Sequence, residues 1–315
     1  MKALFFNGSL NIIETETPVP SKDEVLIKIL YSSICNTDIE LTKGYMNFTG
    51  VPGHEFVGEV VSKKSVLYCK KVVGEINCNC GLCEMCKKNL PTHCFNRSVL
   101  GIFNHQGTFA EYIVLKENNL HVIPENVELT DAVFTEPLAA ALEIFEQVHI
   151  KPQDKIFIFG AGKLGILIAQ IFHLYGCNYM IFNRGEERAA FAKSLNLNCK
   201  TLMELSENEK ADICVDCSGS PQGFEISLKH LKPRGNLILK TTVAQPPVID
   251  MNQIVINEFQ IKGSRCGPFK PALLLIARKL INIKPLISKI FDFENIIDAF
   301  EFSKQKNILK ILIKH

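Results

Sequence analysis

The sequence predicts a mixed α and β protein in two parts: a β-rich part to about Pro124, then an α/β part on a parallel sheet. Three observations predict it. Short apolar runs at 25–31 (VLIKILY) and 55–62 (EFVGEVVS) are bounded by Gly, Pro, Ser and Lys. From residue 155 onward, strand-like and helix-like segments alternate. A glycine-rich turn joins the first of those strands to the first helix. The length, 315 residues, suits two domains.

In order, the β-rich part is punctuated by turns such as Thr49-Gly50-Val51-Pro52-Gly53. Thr130-Asp131 opens a helix, and 138–148 carries apolar residues at helical spacing, with Pro137 at the tolerated first position. Then come a strand at 155–159, a helix at 163–175 closed by Gly176, a strand at 178–182 and a helix at 186–195. A strand at 213–217, a helix at 222–231 and a strand at 236–240 continue the series. Alternation of this kind implies parallel strands with helices on both faces. A helix at 297–303 and a strand at 308–313 end the chain.

Apolar residues make up 47% and charged residues 22%, enough to bury a sizeable core. A net charge of +2 without a dense Lys/Arg block excludes nucleic acid as the expected partner. The first residues turn polar too soon for a secretory signal, so a cytoplasmic protein is expected. The apolar run 156–182 is long enough to span a bilayer. Gly160, Gly162, Gly165, Lys163 and Asn178 interrupt it, and a strand, turn, helix and second strand explain it better than a membrane span. Twelve cysteines in an unexported chain argue against a disulfide framework. Their crowding at Cys78, Cys80, Cys83, Cys86 and Cys94 reads instead as metal ligation.

Gly160-Ala161-Gly162-Lys163-Leu164-Gly165 is G-x-G-x-x-G after an apolar strand and at the start of a helix, the context that makes it a dinucleotide motif. Gly160 lets the chain turn, Gly162 clears the approach of a pyrophosphate, and Gly165 lets helix and strand pack closely. The helix N-terminus then presents free N–H groups and a partial positive charge. The plain alternative is a turn with no ligand.

Cys80, Cys83, Cys86 and Cys94 form C-x2-C-x2-C-x7-C, four thiolates that can close a tetrahedral structural zinc site. An iron–sulfur cluster is the rival, but its fourth cysteine follows after three residues and precedes Pro; here it follows after seven and precedes Phe95. A catalytic zinc needs about three protein ligands and an open position. Cys35-Asn36-Thr37-Asp38, Gly53-His54-Glu55 and Thr135-Glu136-Pro137-Leu138 offer a thiolate, an imidazole and carboxylates. Singly, each is as well read as a small core residue, a satisfied histidine or a helix start.

Taken together, these segments resemble the zinc-containing medium-chain dehydrogenase/reductase family, closest to its sorbitol, threonine and glucose dehydrogenase branch. The resemblance also rests on Gly53-His54-Glu55-Phe56-Val57-Gly58, Gly107-Thr108-Phe109-Ala110-Glu111-Tyr112 and Glu136-Pro137-Leu138-Ala139. It implies a GroES-like β-barrel domain at 1–124, a Rossmann domain at 125–268, and a return to the first domain at 269–315, with the active site in the cleft between domains. By the same resemblance Cys35 and His54 bind a catalytic zinc, with Glu55 and Glu136 as the candidate carboxylates. Thr37 starts a proton relay and Asp38 orients His54. Cys69-Lys70-Lys71-Val72 replaces the family's usual G-D-R-V, and Glu40 stands where some alcohol dehydrogenases carry a relay histidine.

The expected protein is thus a zinc-dependent oxidoreductase with two zinc ions per chain. It would move a hydride between an alcohol, polyol or sugar hydroxyl and NAD(P), as a homodimer or homotetramer. Two rivals are a non-catalytic zinc- and nucleotide-binding relative and a zinc-independent quinone or enone reductase. The retained Cys35, His54 and carboxylates speak against the first, and the cysteine lobe and Glu136-Pro137 against the second. NADP is expected over NAD. The second strand of the α/β part ends Ile181-Phe182-Asn183-Arg184, without the carboxylate that holds an NAD ribose, while Arg184 and Arg188 suit a 2′-phosphate.

Overall fold

In the computed structural model, which describes residues 1–240 and 248–315, the chain divides into two units. The first comprises Met1–Glu136, Phe269–Arg278 and Ile283–His315; the second comprises Pro137–Pro268 and Lys279–Asn282.

The first unit is organised around the strand Glu24–Ile34. Val25, Ile27 and Ile29 alternate into the core, the pattern that marks a strand. Past Tyr31 the alternation ends, and Ser32, Ser33 and Ile34 are all buried. The strand therefore runs three residues beyond the predicted 25–31. The reason is tertiary: both of its edges are covered there. Lys310–Lys314 pairs antiparallel along one edge, with Ile311 opposite Ile34. Glu55–Val60 pairs along the other, with Glu55 opposite Ser33. Tyr112–Lys116 joins near its start, and the sheet continues through Lys71–Gly74 to Leu120–Val122. Ile287–Asp292 lies beyond Lys310–Lys314 at the opposite side. The core below packs Leu4, Ile34, Phe109, Phe300, Ile311 and Ile313. Phe109 meets Phe300 edge to face at 5.5 Å, a favoured aromatic arrangement.

The second unit holds a six-stranded parallel sheet in the order Cys199–Thr201, Asn178–Asn183, Lys155–Phe159, Ala211–Asp216, Leu231–Leu239, Gln260–Gly263. The chain starts in the middle, winds outward to one side and then to the other, the doubly wound arrangement expected of a Rossmann sheet. Ile156, Phe157 and Ile158 have no exposure, as a strand covered on both faces requires. Two edge strands escape sequence patterning. Cys199–Thr201 is only three residues long, and Gln260–Gly263 lacks an apolar run. The helix expected to open at Pro137 spans Thr135–Gln147, so proline sits inside its first turn, where a missing N–H costs nothing. Among the described residues no helix is long and apolar enough to cross a membrane.

Candidate functional site

Cys35 directly follows the central strand and caps the helix Asn36–Thr42. Asp38, three residues on and fully buried, accepts the Cys35 backbone N–H on Oδ2 at 2.8 Å. Its other oxygen accepts the Gly53 N–H at 3.1 Å and faces His54 Nδ1 at 3.2 Å. One carboxylate thus fixes the turn that carries Cys35 and the turn that carries His54. The Cys35 thiol lies 3.8 Å from the Thr37 hydroxyl. Burial opposes charge on His54, but Asp38 and then Cys35 outweigh it and hold its pKa well above the usual value.

Donor atoms of Cys35, His54 and Glu55 all fall within 4.8 Å of one another. Thiolate, imidazole and carboxylate, convergent and with His54 and Glu55 buried, form a set that zinc accepts. Glu136 is not in that group, although its charge acts on the same pocket.

That pocket contains a residue that sequence reasoning did not single out. Lys310 has no exposure and forms an ion pair with Glu55 Oε2, and the Ser33 hydroxyl donates to the same oxygen. Its ammonium also lies 5.9 Å from the centre of the buried Phe134 ring. Burial alone would lower the Lys310 pKa; Glu55, then Cys35 and Glu136, reverse this and raise it. The signal was present in the sequence as one charge inside Ile308-Leu309-Lys310-Ile311-Leu312-Ile313. An apolar run of that kind in a strand tolerates a lysine only at an end, or with a buried partner.

The other cysteines gather separately. Cys80, Cys83, Cys86 and Cys94 bring their sulfurs within 4.8 Å of one another, with separations such as 3.5 Å for Cys83–Cys86 and for Cys80–Cys94. The backbone N–H groups of Leu82 and Cys83 lower the Cys80 thiol to about 6, while burial raises Cys86 to about 11. Cys78 stands outside the four. It lies buried on the strand Asn77–Cys78, its thiol pushed up to about 11 by burial. None of the twelve cysteines is in a disulfide.

In the second unit the glycine turn connects Lys155–Phe159 to the helix Lys163–Leu174, with Gly162 as its N-cap. Gly160 has φ +111°, and a Cβ there would stand 2.8 Å from the Cys217 carbonyl oxygen. A Cβ on Gly165 would come within 2.0 Å of the Gly160 oxygen, so helix and turn touch through backbone alone. Lys163 and Leu164 are half-buried in the first turn. Asn183 accepts the Ala161 N–H at 3.1 Å and donates to the Gly185 carbonyl at 3.0 Å, so it braces the turn. Arg184 beside it is exposed, and Arg188 is half-buried.

Comparison with known proteins agrees with both halves. The family "Alcohol dehydrogenase GroES-like domain" matches residues 21–125, and "Zinc-binding dehydrogenase" matches residues 164–278. The chain is 28% identical to D-arabitol-phosphate dehydrogenase of Enterococcus avium, over 96% of this chain and 93% of that protein. It is 26% identical to sorbitol dehydrogenase of Halalkalibacterium halodurans, over 97% and 96% of the respective lengths. Among solved structures, an alcohol dehydrogenase (rspB) of E. coli CFT073 complexed with NADH superposes with a TM-score of 0.91 at 26% identity, covering 100% of this chain and 99% of that one. Matches to both domain types in order, with relatives aligned over nearly the full length, fit the site geometry above: the chain belongs to the zinc-containing medium-chain dehydrogenase/reductase family and is an oxidoreductase.

Proposed function

We propose that the chain transfers a hydride between the carbinol carbon of an alcohol, polyol or sugar and a nicotinamide dinucleotide, using the Cys35/His54 pocket as its reaction centre. The convergence of Cys35, His54 and Glu55 within 4.8 Å carries this reading. Zinc and a nicotinamide dinucleotide are the cofactors. Cys35 and His54 would hold the catalytic zinc, with a carboxylate from Glu55 or Glu136 beside them; Cys80, Cys83, Cys86 and Cys94 would hold a second, closed one. The metal supplies a Lewis acid that makes a bound hydroxyl more acidic, and the nicotinamide accepts or donates the hydride. The residues of the chain do the rest. Asp38 fixes the His54 ring from behind, which sets the nitrogen that faces the pocket. Thr37 Oγ1, next to Cys35, would accept the substrate hydroxyl proton while releasing its own toward solvent. The glycine turn and the helix behind it hold the pyrophosphate.

One preparation tests this reading. Elemental analysis should find two zinc ions per chain, and sedimentation the mass of two or four chains. Denatured with chelator, the protein should release twelve reactive thiols, as in a reducing, cytoplasmic setting. A panel of alcohols, polyols, sugars and amino alcohols should reveal NAD(P)-linked oxidation. Iron with visible absorbance, or no turnover on any member with either cofactor, would count against it.

NADP is the cofactor we expect to be preferred. The strand Asn178–Asn183 ends without a carboxylate, and its last side chain is already engaged in bracing the glycine turn. Arg184 is exposed at that tip, free of the burial that would stop it reaching a 2′-phosphate through its planar fork. The measurement is kcat/KM for both cofactors with one substrate, in wild type and in Arg184→Ala. The variant should lose roughly tenfold with NADP, the worth of one charge-assisted contact, and little with NAD. A clear NAD preference in the wild type, or equal losses with both cofactors, would refute the assignment.

A further inference from the structure

Among the described residues Lys310 is the only fully buried lysine or arginine, and the strand register explains why it meets Glu55. Ile311 lies opposite Ile34, so Lys310 falls beside the start of the Cys35 turn; Ser33 lies opposite Glu55 on the next strand. Ser33 itself lies opposite Leu312, so Lys310, two residues before Leu312, sits diagonal to the Ser33–Glu55 pair on three adjacent strands, with Lys310 Nζ and Ser33 Oγ both on Glu55 Oε2. Through Glu55 this cluster borders the pocket where Cys35 and His54 converge.

A carboxylate buried as deeply as Glu55 needs a cation. In this pocket two can serve, the ammonium of Lys310 and a metal held by Cys35 and His54. A catalytic site must also keep one position open. Here the possible donors are Cys35, His54, Glu55 and nearby Glu136, enough to fill a tetrahedron and shut it. We infer that Lys310 is a positioning residue that claims Glu55 for the protein, so that this carboxylate does not close the metal site against substrate. The inference rests on the metal reading proposed above. It assigns no contact between Lys310 and substrate; Lys310 acts through Glu55.

The test uses full-length protein with cobalt exchanged into the Cys35/His54 site, whose single thiolate gives a weaker charge-transfer band than the four-thiolate lobe. In Lys310→Met, Glu55 keeps its charge and loses its ammonium, so it should turn to the metal. Metal release to a chelator should slow at least about tenfold, the usual scale of changes behind a metal ligand, and the visible cobalt spectrum should shift. The double variant Lys310→Met/Glu55→Gln should return both readouts to wild type, because a neutral amide is a poor ligand. Lys310→Arg, which retains the charge, should also behave as wild type. If Lys310→Met does not fold, Glu55→Gln alone decides: release close to the wild-type rate supports the inference, and loss of the metal overturns it. A Lys310→Met protein that melts earlier but keeps the wild-type spectrum and release rate would reduce the lysine to a structural staple and overturn the inference alone. A wild type with metal only at the cysteine lobe would overturn the metal reading and this inference together.

Discussion

Cys35→Ala should abolish dehydrogenase turnover, with a loss on the order of 10³-fold or more, while the protein stays folded and still binds the dinucleotide. The size follows from what is removed. A Lewis acid at a reacting hydroxyl is worth several kcal/mol of barrier, and each 1.36 kcal/mol is tenfold in rate. The fold should survive because Cys35 is a half-buried side chain at the end of a strand. The turn it occupies is held by the Asp38 bond to its backbone N–H, which alanine keeps. The dinucleotide should still bind, because the glycine turn belongs to the second unit. Three measurements on one variant check this: turnover, zinc content falling by one ion, and cofactor titration by fluorescence. His54→Ala should behave alike. Near-normal turnover in Cys35→Ala would make the catalytic assignment wrong.

Cys83→Ser should leave the reaction centre intact and cost stability instead. Cys83 sits at the middle of its cluster, with its sulfur 3.5 Å from Cys86 and 3.7 Å from Cys94. Little but metal would hold that lobe. Leu82, Leu90 and Phe95 around it are exposed, and its helices are the short Glu84–Lys87 and Pro91–His93. Where packing is this thin, metal-binding free energy is folding free energy, about 10–16 kcal/mol for structural zinc in isolated finger peptides. A lobe tethered to a larger domain loses less, so a destabilisation of about 3 kcal/mol or more is expected, several degrees in melting temperature at about 2–4 °C per kcal/mol. Differential scanning calorimetry with zinc analysis checks it. An unchanged melting temperature after loss of one zinc would show that the lobe folds without its metal.

The two variants separate the sites because the cysteines separate in space, and that separation was legible in the chain. Four cysteines within fifteen residues can reach one ion with little help from the rest of the fold. The glycine turn was legible for a similar reason. Gly165 meets the Gly160 backbone five residues away, and the one long-range requirement, the closeness of Gly160 to Cys217, is met by the neighbouring parallel strand. The reaction centre is different. Cys35 and His54 are nineteen positions apart, the candidate carboxylates Glu55 and Glu136 extend the set over about a hundred residues, and each has an ordinary structural reading on its own. The family resemblance joined them; spacing did not.

What the sequence by itself determined is whatever depends on period and proximity along the chain: β-rich then α/β, the parallel sheet with its helices, the glycine turn and the cysteine lobe. Apolar periodicity sets which face is buried, and short-range ligand spacing sets which atoms can meet. What only the tertiary structure decided is the surroundings of Glu55. The sheet brings Lys310 from 255 positions away onto the oxygen that Ser33 also holds. The lysine stands out inside its apolar run, but nothing near it in the sequence names its partner, because only the folded sheet sets Glu55 against it. Burial then changes its physics. In water such an ion pair is worth little, whereas inside the sheet neither charge can be left without the other.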